Sequence, residues 1–167
     1  MSKEFKKLVV AFSGPSNSGK TTLVVKVSEI LKAKGFEVCI VKHDPKDKAF
    51  FDVPGKDSDK FFKTGANVAV VSPTRTTLFS HKRSEIEELI RLFGEFDYLL
   101  VEGLKTLPLP RISVFRGKLD ESYFPVTDAI AHDDSIERSL IPTNIDRLDL
   151  NNPEEIISWI EINAKRV

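Results

Sequence analysis

A glycine-rich segment near the start of the chain has the residue types and spacing that bind phosphate. Residues Gly14–Thr21 fit the pattern G-x-x-x-x-G-K-[ST] at every fixed position. Glycines let the backbone bend until successive N–H groups point at one anion, and the helix that follows adds unpaired N–H donors. We predict that Lys20 neutralises β- and γ-phosphate oxygens and that the Thr21 hydroxyl holds Mg²⁺. The predicted phosphate-binding residues are Gly14, Pro15, Ser16, Asn17, Ser18, Gly19, Lys20, Thr21 and Thr22.

Acidic side chains follow two other apolar runs. The run Tyr98–Val101 delivers Glu102 at its C-terminal end, as a Walker B strand does. Such a carboxylate holds Mg²⁺ through a water or orients an attacking water, so Lys20 and Glu102 are the candidate catalytic residues. Asp44 follows another strand and is a second candidate Mg²⁺ ligand. His43 beside it either contacts a phosphate or caps that strand.

The elements around these residues predict an α/β fold. Leu8–Phe12 is a continuous apolar run typical of a strand covered on both faces, and apolar residues then recur at helical spacing up to Gly35. Glu37–Lys42 gives a second strand, so strand, loop, helix and strand follow within about 35 residues, which is a βαβ unit. We predict a three-layer sheet of the P-loop NTPase type, mostly parallel, with helices on both faces. Ligands bind outside the carboxyl ends of such strands, which brings the glycine-rich segment, Asp44 and Glu102 to one edge.

The rest of the chain is predicted from caps and short apolar runs. The predicted elements are a loop over His43–Ser58, a helix over Asp59–Thr64 capped by Ser58, strands over Asn67–Ser72, Thr74–Ser80, Arg111–Arg116 and Asp128–Ala131, a helix opened by the capping box Ser84/Glu87 and ended by Gly94, and a closing helix with Asn152 as N-cap and Pro153 at its first position. Cys39 and Trp159 are expected to be buried, and Arg111 and Arg116 to be solvated. No linker or repeat divides the chain, so residues 1–167 are predicted to form one nucleotide-binding domain.

Composition and charge exclude several classes of protein. The chain has 167 residues, 41% of them hydrophobic and 30% charged, which is the composition of a globular protein. Its 25 basic and 25 acidic residues cancel, so it lacks the basic footprint of a protein that binds nucleic acid or an anionic membrane. Cys39 is the single cysteine, which excludes an intrachain disulfide. The charged start, Met1–Lys7, precedes an apolar run too short for a signal peptide or a membrane span, which predicts a cytoplasmic protein.

Further strings of residues occur in an order that resembles a known family. These strings are Ser13–Thr22, Lys42–Asp44, Asp52–Ser58 with Gly65 and Ala66 downstream, Val101–Lys105 and Leu107–Arg111. Together they resemble the molybdopterin-guanine dinucleotide biosynthesis protein B family. Many NTPases share the P-loop, whereas the Gly-Lys-Asp-Ser string, Glu-Gly-x-Lys and Pro-x-Pro-Arg are much more specific. The chain departs from the family pattern at residues 46–48, where Lys-Asp-Lys stands in place of a further histidine.

The resemblance implies an adaptor function. It implies a cytoplasmic homodimer that binds GTP and Mg²⁺ and assists the attachment of GMP to molybdopterin. The implied partners are the molybdenum cofactor guanylyltransferase and other molybdopterin-handling proteins. It also adds Lys56, Asp57 and Ser58 as candidate site residues. The implied catalysis is at most a weak Mg²⁺-dependent GTPase, which agrees with the lack of a recognisable arginine finger or water-positioning glutamine in the sequence.

Two other functions stay open from the residues themselves. An ATP-dependent kinase of a small molecule would use the same P-loop, with the long loop His43–Ser58 as its acceptor site. A lid carrying arginines would favour this alternative, and the sequence shows none. A binding module, in which the nucleotide serves only to order that loop, is the third possibility. No Asn-Lys-x-Asp guanine box occurs, so the residues alone do not assign the base.

Overall fold

The computed structural model of the chain describes residues 4–167. These residues form two compact units, a larger one of residues 4–43 with Glu95–Val167 and a smaller one of Asp44–Gly94. The prediction about the charged N-terminus falls partly on residues 1–3, which lie outside the described residues. The single-domain assignment stays a prediction.

Nine strands and four α-helices make up the regular structure of the described residues. The strands are β1 (Leu8–Ser13), β2 (Val38–Lys42), β3 (Val68–Val71), β4 (Thr76–Phe79), β5 (Tyr98–Glu102), β6 (Arg111–Phe115), β7 (Ala129–His132), β8 (Asp146–Asp149) and β9 (Lys165–Arg166). The helices are α1 (Lys20–Ala33), α2 (Asp57–Lys63), α3 (Ile86–Phe93) and α4 (Pro153–Asn163). Two short 3₁₀ helices span Glu121–Val126 and Arg138–Leu140.

The larger unit is built on a sheet in the order β2-β5-β1-β6-β7-β8. These six strands are parallel, and β9 pairs antiparallel with the first two residues of β1. In the central pairs Phe12 lies opposite Glu102 on one side and Ile112 on the other. The predicted α/β class with a mostly parallel sheet is confirmed. This register brings the end of β1 beside the end of β5, where the candidate residues stand.

The core of the larger unit explains why these segments fold as they do. Every residue of β1 is buried, as its continuous apolar run predicts. One face of the sheet packs against α1 and α4, whose buried residues recur at helical spacing. Trp159 of α4 is buried there, and its indole N–H donates to Asp146 at 2.7 Å. On the other face, Tyr123 of the first 3₁₀ helix packs with Phe115 and Ile130.

Some sequence expectations for the larger unit are wrong at the edges of the sheet. Because β2 is an edge strand, Ile40 is 43% exposed and Cys39 is only half-buried. Burial still raises the pKa of the Cys39 thiol. The strands β8 and β9 are not predicted from the sequence. The predicted N-cap of α4 is confirmed, because the Asn152 side chain accepts the Glu155 N–H at 3.3 Å.

The smaller unit consists of α2, the antiparallel hairpin of β3 and β4, and α3. The N-cap position of α2 is Lys56 rather than the predicted Ser58. The capping box of α3 is formed by Glu85 and Glu88 rather than by Ser84 and Glu87. In α3 the cap shifts along the chain because the Glu85 carboxylate, rather than the Ser84 hydroxyl, reaches the free N–H group. No helix within residues 4–167 combines the length and apolar character needed to cross a membrane.

Candidate functional site

The glycine-rich loop connects β1 to α1 with a backbone that only glycine allows at its first position. Gly14 has φ +140°, and a Cβ atom there would lie 2.4 Å from the Val114 carbonyl oxygen and 3.0 Å from Ser18 Oγ. Gly19, at the other end of the loop, has φ +93° and is the N-cap residue of α1. The loop therefore turns sharply between two fixed elements, with its backbone close against β6.

The start of α1 has N–H donors that no side chain caps. Gly19 offers no capping side chain, and the first turn of the helix carries no acidic residue. A cavity of about 180 Å³ lies at this end and is lined by Asn17, Ser18, Gly19, Lys20, Thr21 and Thr22. The buried Ser18 hydroxyl has no hydrogen-bond partner among the described residues. Free amides, a positive helix end and an unused hydroxyl are what an anion such as phosphate requires.

Lys20 and Glu102 face each other at the ends of neighbouring elements. Lys20 Nζ lies 3.5 Å from Glu102 Oε1 and 3.4 Å from the Gly14 carbonyl oxygen. The two side chains are only 14% and 16% exposed, so this is a sheltered ion pair. An arriving phosphate would compete with the carboxylate for the ammonium group. The structure thus brings the glycine-rich loop, Lys20 and Glu102 together, as the sequence predicts.

His43 packs against the residue that follows Glu102. Its backbone N–H donates to the Glu102 carbonyl oxygen at 2.9 Å. Gly103 has φ +91°, and a Cβ atom on it would lie 2.9 Å from His43 Cβ. Since any larger residue at 103 would collide with His43, the close contact requires glycine. His43 therefore stands beside the Glu102 turn, and its role as a ligand contact stays a prediction.

Four predicted site residues belong to the smaller unit: Asp44, Lys56, Asp57 and Ser58. The Asp44 carboxylate accepts the backbone N–H groups of Lys48 at 2.6 Å and Ala49 at 2.7 Å, so it holds its own loop together. Lys56 is the N-cap residue of α2, and the exposed Asp57 carboxylate lies 3.7 Å from Lys60 Nζ. Their assignment as metal or ligand contacts stays a prediction.

Arg111 is a buried residue whose environment the sequence does not predict. The sequence predicts a solvated side chain, but Arg111 is 0% exposed. Nη1 donates to Ser13 Oγ at 2.7 Å and to the Gly103 carbonyl at 2.9 Å, and Nη2 donates to the carbonyls of Leu104 at 2.9 Å and Leu107 at 3.2 Å. Burial lowers the pKa of the guanidinium from its usual value. The Pro-x-Pro-Arg string located this residue, but its burial has no signature in the sequence.

Arg116 lies beside the other end of the glycine-rich loop. It is exposed, as predicted, and its Nε is 2.9 Å from the Asp133 carboxylate. A Cβ atom on Gly19 would lie 3.7 Å from an Nη atom of Arg116 and equally far from Leu150. The Ser135 hydroxyl, together with Arg116, holds the pKa of Asp133 below its usual value. A second charged pair thus flanks the loop.

The protein ligands available to a metal at this site are few. Within residues 4–167, no group of three or more His, Cys, Asp or Glu side chains is arranged to hold a metal ion. The Thr21 hydroxyl, which lines the cavity, and the Glu102 carboxylate beside Lys20 are oxygen donors. Mg²⁺ is commonly held by one or two protein oxygens together with phosphate oxygens and water, so these donors fit that ion only together with a phosphate ligand.

Comparison with known proteins links this chain to one family. The family model described as "Molybdopterin guanine dinucleotide synthesis protein B" matches residues 9–132. A "Molybdopterin-guanine dinucleotide biosynthesis adapter protein" of Escherichia coli K12 is 30% identical over 161 residues, covering 91% of this chain and 90% of the relative. The crystal structure of Bacillus subtilis MobB superposes with a TM-score of 0.73 at 23% identity, covering 93% of this chain and 98% of that one. The hydrogenase maturation factor HypB from Archaeoglobus fulgidus gives a TM-score of 0.52 at 16% identity, covering 93% and 87%. These two structural likenesses show the shared fold.

Proposed function

The chain belongs to the molybdopterin guanine dinucleotide synthesis protein B family, and on that premise we propose that it is a GTP-binding adaptor of molybdenum cofactor biosynthesis. In this role it assists the conversion of molybdopterin to its guanine dinucleotide form. The observation at the site that carries the proposal is the buried, unpartnered Ser18 hydroxyl at the uncapped start of α1. A phosphate group supplies the acceptor that this hydroxyl and the adjoining amides require.

The residues of the loop divide the work of holding Mg²⁺-GTP. Lys20 would exchange its contact with Glu102 for the terminal phosphate oxygens. The Thr21 hydroxyl and the released Glu102 carboxylate would hold Mg²⁺, which would supply charge neutralisation between the phosphates. The choice of guanine rests on the family, since the sequence includes no guanine box of the Asn-Lys-x-Asp type.

Hydrolysis by this site is slow in the proposed function. Fast transfer to water uses an arginine finger or a water-positioning glutamine, worth roughly 10³–10⁵ in rate. Arg111, beside the Glu102 turn, is buried and its guanidinium is bonded to neutral groups of the protein, so it does not serve as such a finger.

The partners that fit such an adaptor are the molybdenum cofactor guanylyltransferase and other molybdopterin-handling proteins in the cytoplasm.

The smaller unit supplies the surface for a homodimer. Within this unit Ile86 is the one buried residue among those described. The smaller unit carries most of the large apolar side chains that are exposed among the described residues: Phe50, Phe51, Val53, Phe61, Val70, Val71, Leu78, Leu92 and Phe93. A two-stranded hairpin with two short helices is marginal by itself. A second copy of the chain that covers these side chains would complete its core.

Thermal unfolding with added nucleotide tests the nucleotide assignment. We expect GTP with Mg²⁺ to stabilise the protein, by about 2.7 kcal/mol at 100 times its Kd, and ATP to stabilise it less. Lys20→Ala should abolish this stabilisation without unfolding the protein. Lys26→Ala, which removes an exposed lysine of the same helix, is the matched control and should retain it. An unchanged GTP shift in Lys20→Ala would refute the proposal, and a larger shift with ATP would favour the kinase alternative.

A further inference from the structure

Arg111 is a cation placed entirely inside the protein. Arg111 is the first residue of β6 and lies opposite Ala11 of β1. Its backbone N–H donates to the Asp128 carboxylate at 2.8 Å. All four of its guanidinium hydrogen bonds go to neutral oxygens, and Nε is buried without a partner among the described residues. Burying a charge is costly unless hydrogen bonds offset the lost hydration. The side chain is therefore held in one geometry by acceptors that must themselves stay in place.

Three of these acceptors belong to a single turn after β5. They are the carbonyl oxygens of Gly103, Leu104 and Leu107. Gly103 has φ +91° and Leu104 has φ +48°. Left-handed backbone is unfavourable at a leucine, so this turn needs contacts that hold it. The two Nη groups of Arg111 supply them, since both left-handed residues present their carbonyls to it.

The turn and the fourth acceptor carry the two halves of the candidate site. Glu102 is the last residue of β5 and immediately precedes the turn, so the sheet and the turn together set the direction of its carboxylate. Ser13, the fourth acceptor, immediately precedes Gly14, whose carbonyl lies 3.4 Å from Lys20 Nζ. The guanidinium group therefore holds the backbone of the turn beside Glu102, whereas on the Lys20 side it bonds only the Ser13 hydroxyl.

We propose that Arg111 is a positioning residue for the metal ion: it fixes the turn after β5 so that the Glu102 carboxylate is presented to Mg²⁺ beside Lys20. The proposal rests on the proposed function, because it concerns the same Mg²⁺-nucleotide site. A residue that only stabilised the fold would change the free energy of unfolding without changing metal affinity. A positioning residue changes the affinity for Mg²⁺ and leaves the Mg²⁺-free contacts of the phosphate loop in place.

The test is a Mg²⁺ titration of the GTP-bound full chain in the variant Arg111→Met. We expect the Mg²⁺ affinity of the GTP complex to fall about tenfold or more, as when an outer partner of a metal ligand is removed. GTP affinity in EDTA should stay close to that of the unsubstituted protein. Arg147→Met is the matched control, because Arg147 also has a buried, unpartnered Nε and donates to a carbonyl, that of Ile141 at 2.9 Å. It lies on β8 and should leave both affinities unchanged.

The outcomes separate this proposal from the proposed function. If Arg111→Met binds Mg²⁺ with the same affinity as the unsubstituted protein, the positioning proposal is overturned. If that variant does not fold, Arg111→Lys takes its place, because lysine keeps the charge but lacks the planar fork that reaches four acceptors. Unchanged Mg²⁺ affinity in Arg111→Lys would then overturn the proposal, and a loss there would support it. A chain that binds no GTP before any substitution would overturn the proposed function, and this proposal with it.

Discussion

Gly14 is the position in the phosphate loop where sterics alone dictate the residue. We expect Gly14→Ala to lower the free energy of unfolding by about 2 kcal/mol or more, because the new methyl group meets the Val114 carbonyl at 2.4 Å. It should also abolish GTP-dependent stabilisation, since the loop must move to make room. Urea unfolding with and without GTP and Mg²⁺ measures both effects.

Gly35→Ala provides the control for this substitution. Gly35 also has positive φ, +84°, but nothing lies within 4 Å of the added Cβ. It should cost only the backbone strain, about 1 kcal/mol, and leave GTP binding intact. Equal loss of GTP binding in the two variants would show that strain anywhere in the larger unit, rather than the shape of the loop, accounts for the effect.

The sequence predicts the loop, Lys20 and Glu102 because their signals are local. A fixed spacing of glycines and lysine marks the loop, and parallel topology brings the end of β5 beside the end of β1. Arg111 could not be predicted in the same way. Its acceptors are mostly carbonyl oxygens of a turn, and every residue has a carbonyl, so no pattern of residue types shows that a buried arginine will find them.

A polar network ties three segments of the larger unit together. Lys6 Nζ lies 2.6 Å from Glu161 Oε1 of α4 and donates to the Tyr98 hydroxyl of β5 at 2.9 Å. The Tyr98 hydroxyl in turn donates to Glu161 at 2.7 Å. The hydrogen bond from Lys6, and to a smaller extent that from Tyr98, lowers the pKa of Glu161 from its usual value. The ionised carboxylate of Glu161 thus stabilises the folded state.

This network predicts a specific dependence of stability on pH. The pKa of Glu161 is lower in the folded than in the unfolded protein, so its contribution is complete above the unfolded value of about 4.3 and is lost as pH falls through the folded value. Glu161→Gln should lower the free energy of unfolding at pH 7 by at most about 1 kcal/mol, because the pair is partly exposed.

Urea unfolding at pH 7 and at about pH 3 measures this contribution. The difference between Glu161→Gln and the unsubstituted protein should shrink at the lower pH. Glu29→Gln, at an exposed carboxylate of α1 outside the network, is the control and should differ little at either pH. If the difference in free energy of unfolding between Glu161→Gln and the unsubstituted protein is the same at both pH values, the charge of Glu161 does not contribute to stability as proposed.

The elements that the sequence predicts poorly are those at edges. The four residues of β8 include three charged ones, Asp146, Arg147 and Asp149, so the strand carries no apolar run. It forms because its backbone pairs with β7, and Leu148 alone among its side chains is buried. Whether such a strand forms is determined by its pairing with a strand from another segment of the chain. The N-cap of α3 also differs from the prediction. Ser84 and Glu85 can both cap a helix, and the local backbone conformation, which the sequence does not show, determines which of them does so.

The two units differ in how completely they bury their apolar residues. The larger unit has a continuous core against the parallel sheet, whereas α2 of the smaller unit has no buried residue. Large exposed apolar patches on a folded chain mark surfaces that meet a partner. A symmetric pairing of two copies is the commonest way for one patch to be covered, because the same surface is used twice.

Sedimentation equilibrium over a range of protein concentrations tests this homodimer. Phe51→Ser, at a side chain of the smaller unit that is 81% exposed, should weaken dimerisation about tenfold or more, as loss of a buried aromatic anchor does. Ile162→Ser is the matched control, because Ile162 is 82% exposed but lies on α4 of the larger unit. It should leave the dimer unchanged. A protein that stays monomeric at every concentration, or equal weakening by the two substitutions, would show that the smaller unit does not form the dimer surface.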